Sequence, residues 1–280
     1  MPVLDIGRTR VEFVEQGSGE PVLLLHSSGS SSAQWRSLIE SLRDRYRVLA
    51  PDFYGCGRTG AWRQDSFALA DEAEIVCALL RRAGGPVHLV GHSYGGTVAL
   101  HVARRYSHAV RSLTLIEPVA FHLLREDDSF NAAAFGEILA VAERLRRALT
   151  DGDREGGMAR FVDYWSGPGA WARIPVAKRP MLAACLEKVV LEFQATFEEP
   201  TRLQDFWALF MPTLLLQGSE SPLPARYICT QLSRVLPEVR HEIVRGAGHM
   251  LPLTHAERVN PLIAAHLDGA RREPALEFAA

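Results

Sequence analysis

The sequence has no Cys-x-x-Cys pair, no apolar run approaching the length of a membrane-spanning helix, and no excess of one charge sign. Its four cysteines, Cys56, Cys77, Cys185 and Cys229, are scattered, which argues against a zinc site or a disulfide framework and for buried free thiols. With 31 basic and 33 acidic residues the formal net charge is -2, which offers a polyanion no footprint, so nucleic acid is not an expected partner. The opening MPVLDIGRTRVEFVEQG lacks the basic region and unbroken apolar stretch of a secretory signal, so the expectation is a cytoplasmic protein with no membrane partner. What the chain does have is core-forming material: 47% of its 280 residues are hydrophobic and 23% charged.

Short β-branched and Leu-rich runs alternate with amphipathic stretches up to about residue 120, the pattern of a mostly parallel sheet flanked by helices. Strands are expected at 22–26, 47–50, 87–91, 110–116, 213–218 and 242–244, with a hairpin-like opening segment that turns at 17–19. Runs such as PVLLLH and PTLLLQG are apolar at successive positions, as strands buried on both faces should be. Between these two groups the strand signal vanishes. The division expected is a core of residues 1–120 and 211–268, an inserted helical cap at 121–210, a last helix at 254–267 and a tail at 269–280.

The most informative segment is VHLVGHSYGGTVALHVA, where Gly91-His92-Ser93-Tyr94-Gly95 stands between a strand and a helix. A sharp turn there strains the serine backbone, and the flanking glycines remove side chains that would collide with neighbouring elements. The hydroxyl of Ser93 is lifted to the sheet edge, and the N–H of Tyr94, at the helix N-terminus, points toward any negative charge developing beside it. On this elbow, together with LLLHSSGSSSAQW, PDFYGCGRT and GAGHMLPLTHAERVN in that order, the chain resembles the α/β-hydrolase fold family over nearly its whole length. The resemblance implies an α/β-hydrolase fold and a serine hydrolase in which Ser93 is the nucleophile and His249 the base. Ser28 and Tyr94 would supply the backbone N–H groups of an oxyanion hole.

The sequence departs from the family pattern in two places. The oxyanion loop reads His26-Ser27-Ser28-Gly29 where His-Gly is usual, and the position three residues beyond Gly218, usually aspartate, is Ser221. Two carboxylates can stand in for that aspartate. Glu117, at the end of the neighbouring strand SLTLIEPV, resembles an arrangement found in some haloalkane dehalogenases and fungal lactone hydrolases; Glu220 is the alternative acid, one residue short of the usual position. His26 has a plain reading as a structural histidine that ties down the oxyanion loop, and Asp52 one as an anchor for the amides of its own loop.

A serine nucleophile implies acyl transfer followed by hydrolysis, because dehalogenases and epoxide hydrolases of this fold use aspartate there. The expected partner is a small or medium apolar carboxylic ester or lactone. Carbon–carbon bond hydrolysis, perhydrolysis and a non-catalytic ligand receptor remain open. His26, Ser27, Tyr54, Phe121, Trp165, Trp171 and Met250 are the expected pocket residues. No metal site and no cofactor are expected, since no ligand set is apparent and the elbow lacks the Lys-Ser/Thr ending of a phosphate loop.

Overall fold

The apolar runs that read as strands lie side by side in one eight-stranded sheet, in the order β1-β2-β4-β3-β5-β6-β7-β8. The computed structural model describes residues 2–62, 66–125 and 129–272. The strands are β1 (Val3–Ile6), β2 (Thr9–Gln16), β3 (Glu20–Leu25), β4 (Tyr46–Pro51), β5 (Val87–His92), β6 (Val110–Ile116), β7 (Thr213–Gly218) and β8 (Val239–Val244). From β4 to β8 across the sheet every pairing is parallel, and only the two pairings of β2, with β1 and with β4, are antiparallel. The opening hairpin differs from the sequence expectation. Its turn is at Gly7, with φ +56°, whereas the turn at 17–19 leads out of β2 into β3, which pairs with β4 and β5 instead.

Successive residues of the central strands serve opposite faces, which is why these runs are apolar throughout. Leu23, Leu25, Leu89, Leu113, Leu115 and Leu215 join the core on one side, while Val22, Leu24, Val90, Ile116, Leu214 and Leu216 join that on the other. The helices are α1 (Arg36–Leu42), α2 (Leu69–Ala83), α3 (Tyr94–Arg105), α4 (Ser129–Thr150), α5 (Arg154–Ser166), α6 (Arg179–Ala183), α7 (Leu186–Glu198), α8 (Leu223–Val235), α9 (Leu251–Thr254) and α10 (Ala256–Arg272). Helices α4 to α7 all fall between β6 and β7, the stretch in which the sequence shows no strand signal. The last helix is broken at His255 and runs on to Arg272, so the start of the expected tail is helical; residues 273–280 lie outside the described residues. Among the described residues no helix is long and apolar enough to cross a membrane.

Parallel strands carry their C-terminal ends to one edge, where open α/β sheets form their sites. At that edge β3 runs into the loop of His26 to Gly29, β5 into Ser93, and β6 into Glu117, and the chain after β8 reaches His249.

Candidate active site

Ser93 sits between β5 and α3 with φ +56° and ψ -120°, one of two non-glycine residues with positive φ among those described; the other is Glu117, at +44°. The strain is held by its surroundings. The N–H of Ser93 donates to the carbonyl of Ile116 at 2.9 Å, and the N–H of Glu117 donates to that of Leu216 at 3.0 Å, so each turn is pinned to the next strand. A Cβ at Gly95 would come within 2.3 Å of the carbonyl oxygen of Leu25, and one at Gly91 within 2.3 Å of that of Gly95. The elbow therefore closes only with glycine at both places.

His249 bridges the two strained residues. Its Nε2 lies 2.9 Å from Ser93 Oγ and its Nδ1 lies 2.6 Å from Glu117 Oε2. The other oxygen of Glu117 accepts from the N–H of Gly218 at 2.6 Å, and Ser93, Glu117 and His249 are all buried. Glu220 is elsewhere: it is exposed, and its Oε1 accepts from the Ser219 hydroxyl. Ser221 is buried without a partner for its hydroxyl among the described residues, so the position where the family usually has its acid contributes no carboxylate.

The loop of His26 to Gly29 is tied to the loop of His249 through His92. The Ser27 N–H and hydroxyl both donate to Gln34 Oε1, which leaves Gln34 Nε2 to donate to His92 Nδ1 at 3.1 Å; His92 Nε2–H then donates to the carbonyl oxygen of His249 at 2.9 Å. Burial pushes the His92 imidazole well below its usual pKa, with the neighbouring His249 adding to the effect, so this chain of bonds runs through a neutral ring. Ser27 needs no positive φ; among the residues of this loop that conformation falls on Gly29, at +63°. As the first residue of α3, Tyr94 has no acceptor inside the helix for its N–H, which leaves it available beside Ser93.

A small cavity of about 10 Å³, close to the space of one water molecule, lies against Ser93, with Ser28, Tyr94, Phe121 and Trp165 among its lining residues. Trp165 also packs on His249, with ring centroids 4.1 Å apart, and shields the imidazole from water. Five expected pocket residues are not among those lining this cavity. His26 has both ring nitrogens engaged by backbone, donating from Nδ1 to the carbonyl of Ser27 and accepting at Nε2 from the N–H of Phe53. Ser27 is occupied by Gln34, Tyr54 packs on Trp62 at 5.1 Å, and Trp171 lies under the Arg179 guanidinium. Met250 is at the start of α9. Asp52 accepts from the N–H groups of Ser32 and Arg58 and shapes its own loop.

Sequence reasoning passed over Lys188, Glu192 and Glu72. Lys188 Nζ donates at 2.7 Å to Glu72 Oε2 on α2 and at 2.7 Å to Glu192 Oε1 on α7. Burial opposes the Lys188 charge, but the two carboxylates outweigh it and hold the ammonium above its usual pKa; burial pushes the Glu72 carboxyl up. The signal was a spacing: Lys188, Glu192 and Thr196 recur at i, i+4 and i+8 on the face of α7 that also buries Val189, Phe193 and Phe197.

A family model described as alpha/beta hydrolase fold matches residues 20–256. Over 276 residues the chain is 30% identical to haloalkane dehalogenase 2 of Mycobacterium tuberculosis, covering 91% of this chain and 93% of that protein. It is 26% identical to the 2-(acetamidomethylene)succinate hydrolase of Mesorhizobium japonicum over 253 residues, covering 88% and 87% of the two chains. Among solved structures, a thermophilic esterase from Thermogutta terrifontis superposes with a TM-score of 0.72 at 28% identity, covering 94% of each chain. The match to the family model begins at β3 and extends past His249, so it takes in the elbow and the histidine loop alike: the chain belongs to the α/β-hydrolase fold family.

Proposed function

We propose that this enzyme is a serine hydrolase that cleaves a small or medium, largely apolar carboxylic ester or lactone through an acyl-enzyme. The single observation that carries the reading is the unbroken line Ser93 Oγ–His249–Glu117, at 2.9 Å and 2.6 Å, opening on a cavity walled by apolar rings. His249, with Nδ1–H donated to Glu117, has its Nε2 lone pair free to take the Ser93 proton as Oγ attacks the carbonyl carbon. The carbonyl oxygen gains charge toward the N–H groups of Ser28 and Tyr94 and the positive end of α3. The imidazolium then returns the proton to the departing alcohol. In the second half, water gives a proton to His249 and its oxygen to the acyl carbon, which releases the acid and restores Ser93.

The dehalogenase relative's activity is not carried over, for a chemical reason. Halide displacement by a carboxylate leaves an ester that water can open, whereas displacement by the Ser93 hydroxyl would leave an alkyl ether, which this machinery cannot hydrolyse. Free thiols at Cys56, Cys77, Cys185 and Cys229 support the cytoplasm as the compartment.

The test is the intact mass of the protein after exposure to a small fluorophosphonate, alongside Ser93→Ala. One adduct on the wild type and none on the variant is the expected result. No adduct on either overturns the reading and favours a ligand receptor.

A further inference from the structure

The cavity beside Ser93 has rings on most sides, but one wall is a carboxylate. Glu192, 1% exposed, lines it together with Ser28, Ser93, Phe121 and Trp165. Glu192 Oε1 accepts from Lys188, while Oε2 is buried and has no hydrogen-bond partner among the described residues. The groups nearby are already committed. Lys188 spends its ammonium on Glu72 and Glu192 and lies 4.5 Å and 5.1 Å from the ring centroids of Phe67 and Tyr94. Glu72 accepts from the N–H of Tyr54 at Oε1 and from Lys188 and the Tyr94 hydroxyl at Oε2, and the Thr196 hydroxyl donates to the carbonyl of Phe193. The cluster thus sets two carboxyl groups beside one ammonium, and the oxygen left without a partner, Glu192 Oε2, belongs to a residue that lines the cavity.

An ionised carboxylate oxygen is an acceptor only, and a buried acceptor without a donor is costly. An apolar substrate group packed against Glu192 would displace water and leave Oε2 unpaired. A substrate hydroxyl or amine would pair it, and a substrate carboxylate would meet like charge with no Lys or Arg among the described residues that line the cavity.

We propose that Glu192 Oε2 is the recognition point for a hydrogen-bond donor, a hydroxyl or an amine, carried by the substrate, and that it rejects substrates with a carboxylate at that place. The inference rests on the Ser93 hydrolase reading and adds a substrate class to it. It also makes the occupant amphipathic rather than wholly apolar.

The experiment measures kcat/KM of the wild type on matched esters that carry a hydroxyl, a methoxy or a carboxylate group at successive positions of the acyl chain and of the alcohol. At the matching position the hydroxyl substrate is expected to exceed its methoxy partner by at least about tenfold, with the carboxylate slowest, because a site built for a donor discriminates strongly against its absence. In Glu192→Gln the amide oxygen can serve Lys188 and only N–H groups face the cavity, so the preference for hydroxyl over methoxy should disappear. Equal rates for hydroxyl and methoxy at every position of the wild-type series overturn the inference, as does a preference that survives in Glu192→Gln. The wild-type series decides the matter even if the variant does not fold. A wild type that takes up the fluorophosphonate but gives a flat series sinks the Glu192 inference alone. One that neither labels nor turns over any ester sinks the hydrolase reading and this inference with it.

Discussion

Glu117 and Gly218 meet across adjacent strand ends: the Gly218 N–H donates to Glu117 Oε1 at 2.6 Å and so turns Oε2 toward His249 Nδ1. In Glu117→Gln the amide oxygen can satisfy only one of these two donors. If it keeps Gly218, the amide N–H faces Nδ1 and forces the His249 tautomer that carries its proton on Nε2, which cannot accept from Ser93. Turnover of a simple ester should fall by about a thousandfold or more, as expected when the orienting carboxylate of a triad is made an amide. Glu220→Gln changes only an exposed side chain whose amide oxygen can still accept from Ser219, and it should stay within about twofold of wild type. Steady-state kinetics of the two variants give the answer, and near-equal activities would take the acid role away from Glu117.

His92 carries no charge to the reaction, yet its removal should slow it. Without its ring, Gln34 loses an acceptor and the carbonyl of His249 loses a donor, so the hydrogen-bonded link between the two loops is broken. In His92→Ala we expect kcat to fall by about tenfold to a hundredfold, because displacements of about 1 Å at reacting groups carry losses of that order. KM should move much less, since His92 is not among the residues lining the cavity. A variant with unchanged kcat would show that the His249 loop holds its place without this tether.

The sequence made the elbow legible because each of its parts has a local cause. Gly91, Ser93 and Gly95 fall within five residues, and a strand pattern precedes them while a helical one follows. The apolar runs of β3 and β7 were readable for a similar reason, since burial on both faces leaves no polar alternation. The opening strands were misread because turn chemistry at 17–19 says that the chain reverses but not which strand it then pairs with; β4 comes between β2 and β3 only through a long-range pairing. Glu117 could be named from its place after LTLI, but its bond to Gly218 depends on the order of β6 and β7. Pocket residues were the least legible. His26 and Tyr54 belong to motifs beside the site, yet their contacts turn them into the scaffold, whereas Glu192 belongs to no motif and reaches the cavity because α7 packs against α2 and α3.

Two glycines should respond in opposite ways to the same substitution. Gly95→Ala would drive a methyl group to 2.3 Å from the Leu25 carbonyl oxygen and 2.5 Å from that of His26, both backbone atoms that cannot yield without moving the elbow. A loss of more than about 3 kcal/mol, or failure to fold, is expected. Gly136 is exposed inside α4 with nothing within 4 Å of an added Cβ, so Gly136→Ala should add up to about 1 kcal/mol through helix propensity. Denaturant melts of the two variants test both signs.

Stability should also fall in mild acid, and His122 is one identifiable source. Burial lowers its pKa to about 4, against the opposing pull of Glu199 and of its bond to the carbonyl of Thr196; its Nε2 is buried without a partner among the described residues. An unfolded chain would protonate this ring near pH 6.5, so between that value and about 4 the unfolded state binds more protons than the folded one. The stabilisation is therefore present above pH 6.5 and is lost as the pH falls toward 4. Between pH 7 and pH 5 this one group should take away roughly 1–2 kcal/mol. His26 and His92, whose pKa values burial also lowers, add losses of the same sign. Unfolding free energies at the two pH values, measured for wild type and for His122→Gln, isolate the contribution. The variant should lose less stability on acidification by about the amount given, and an unchanged pH dependence would mean that His122 is not kept neutral by its burial.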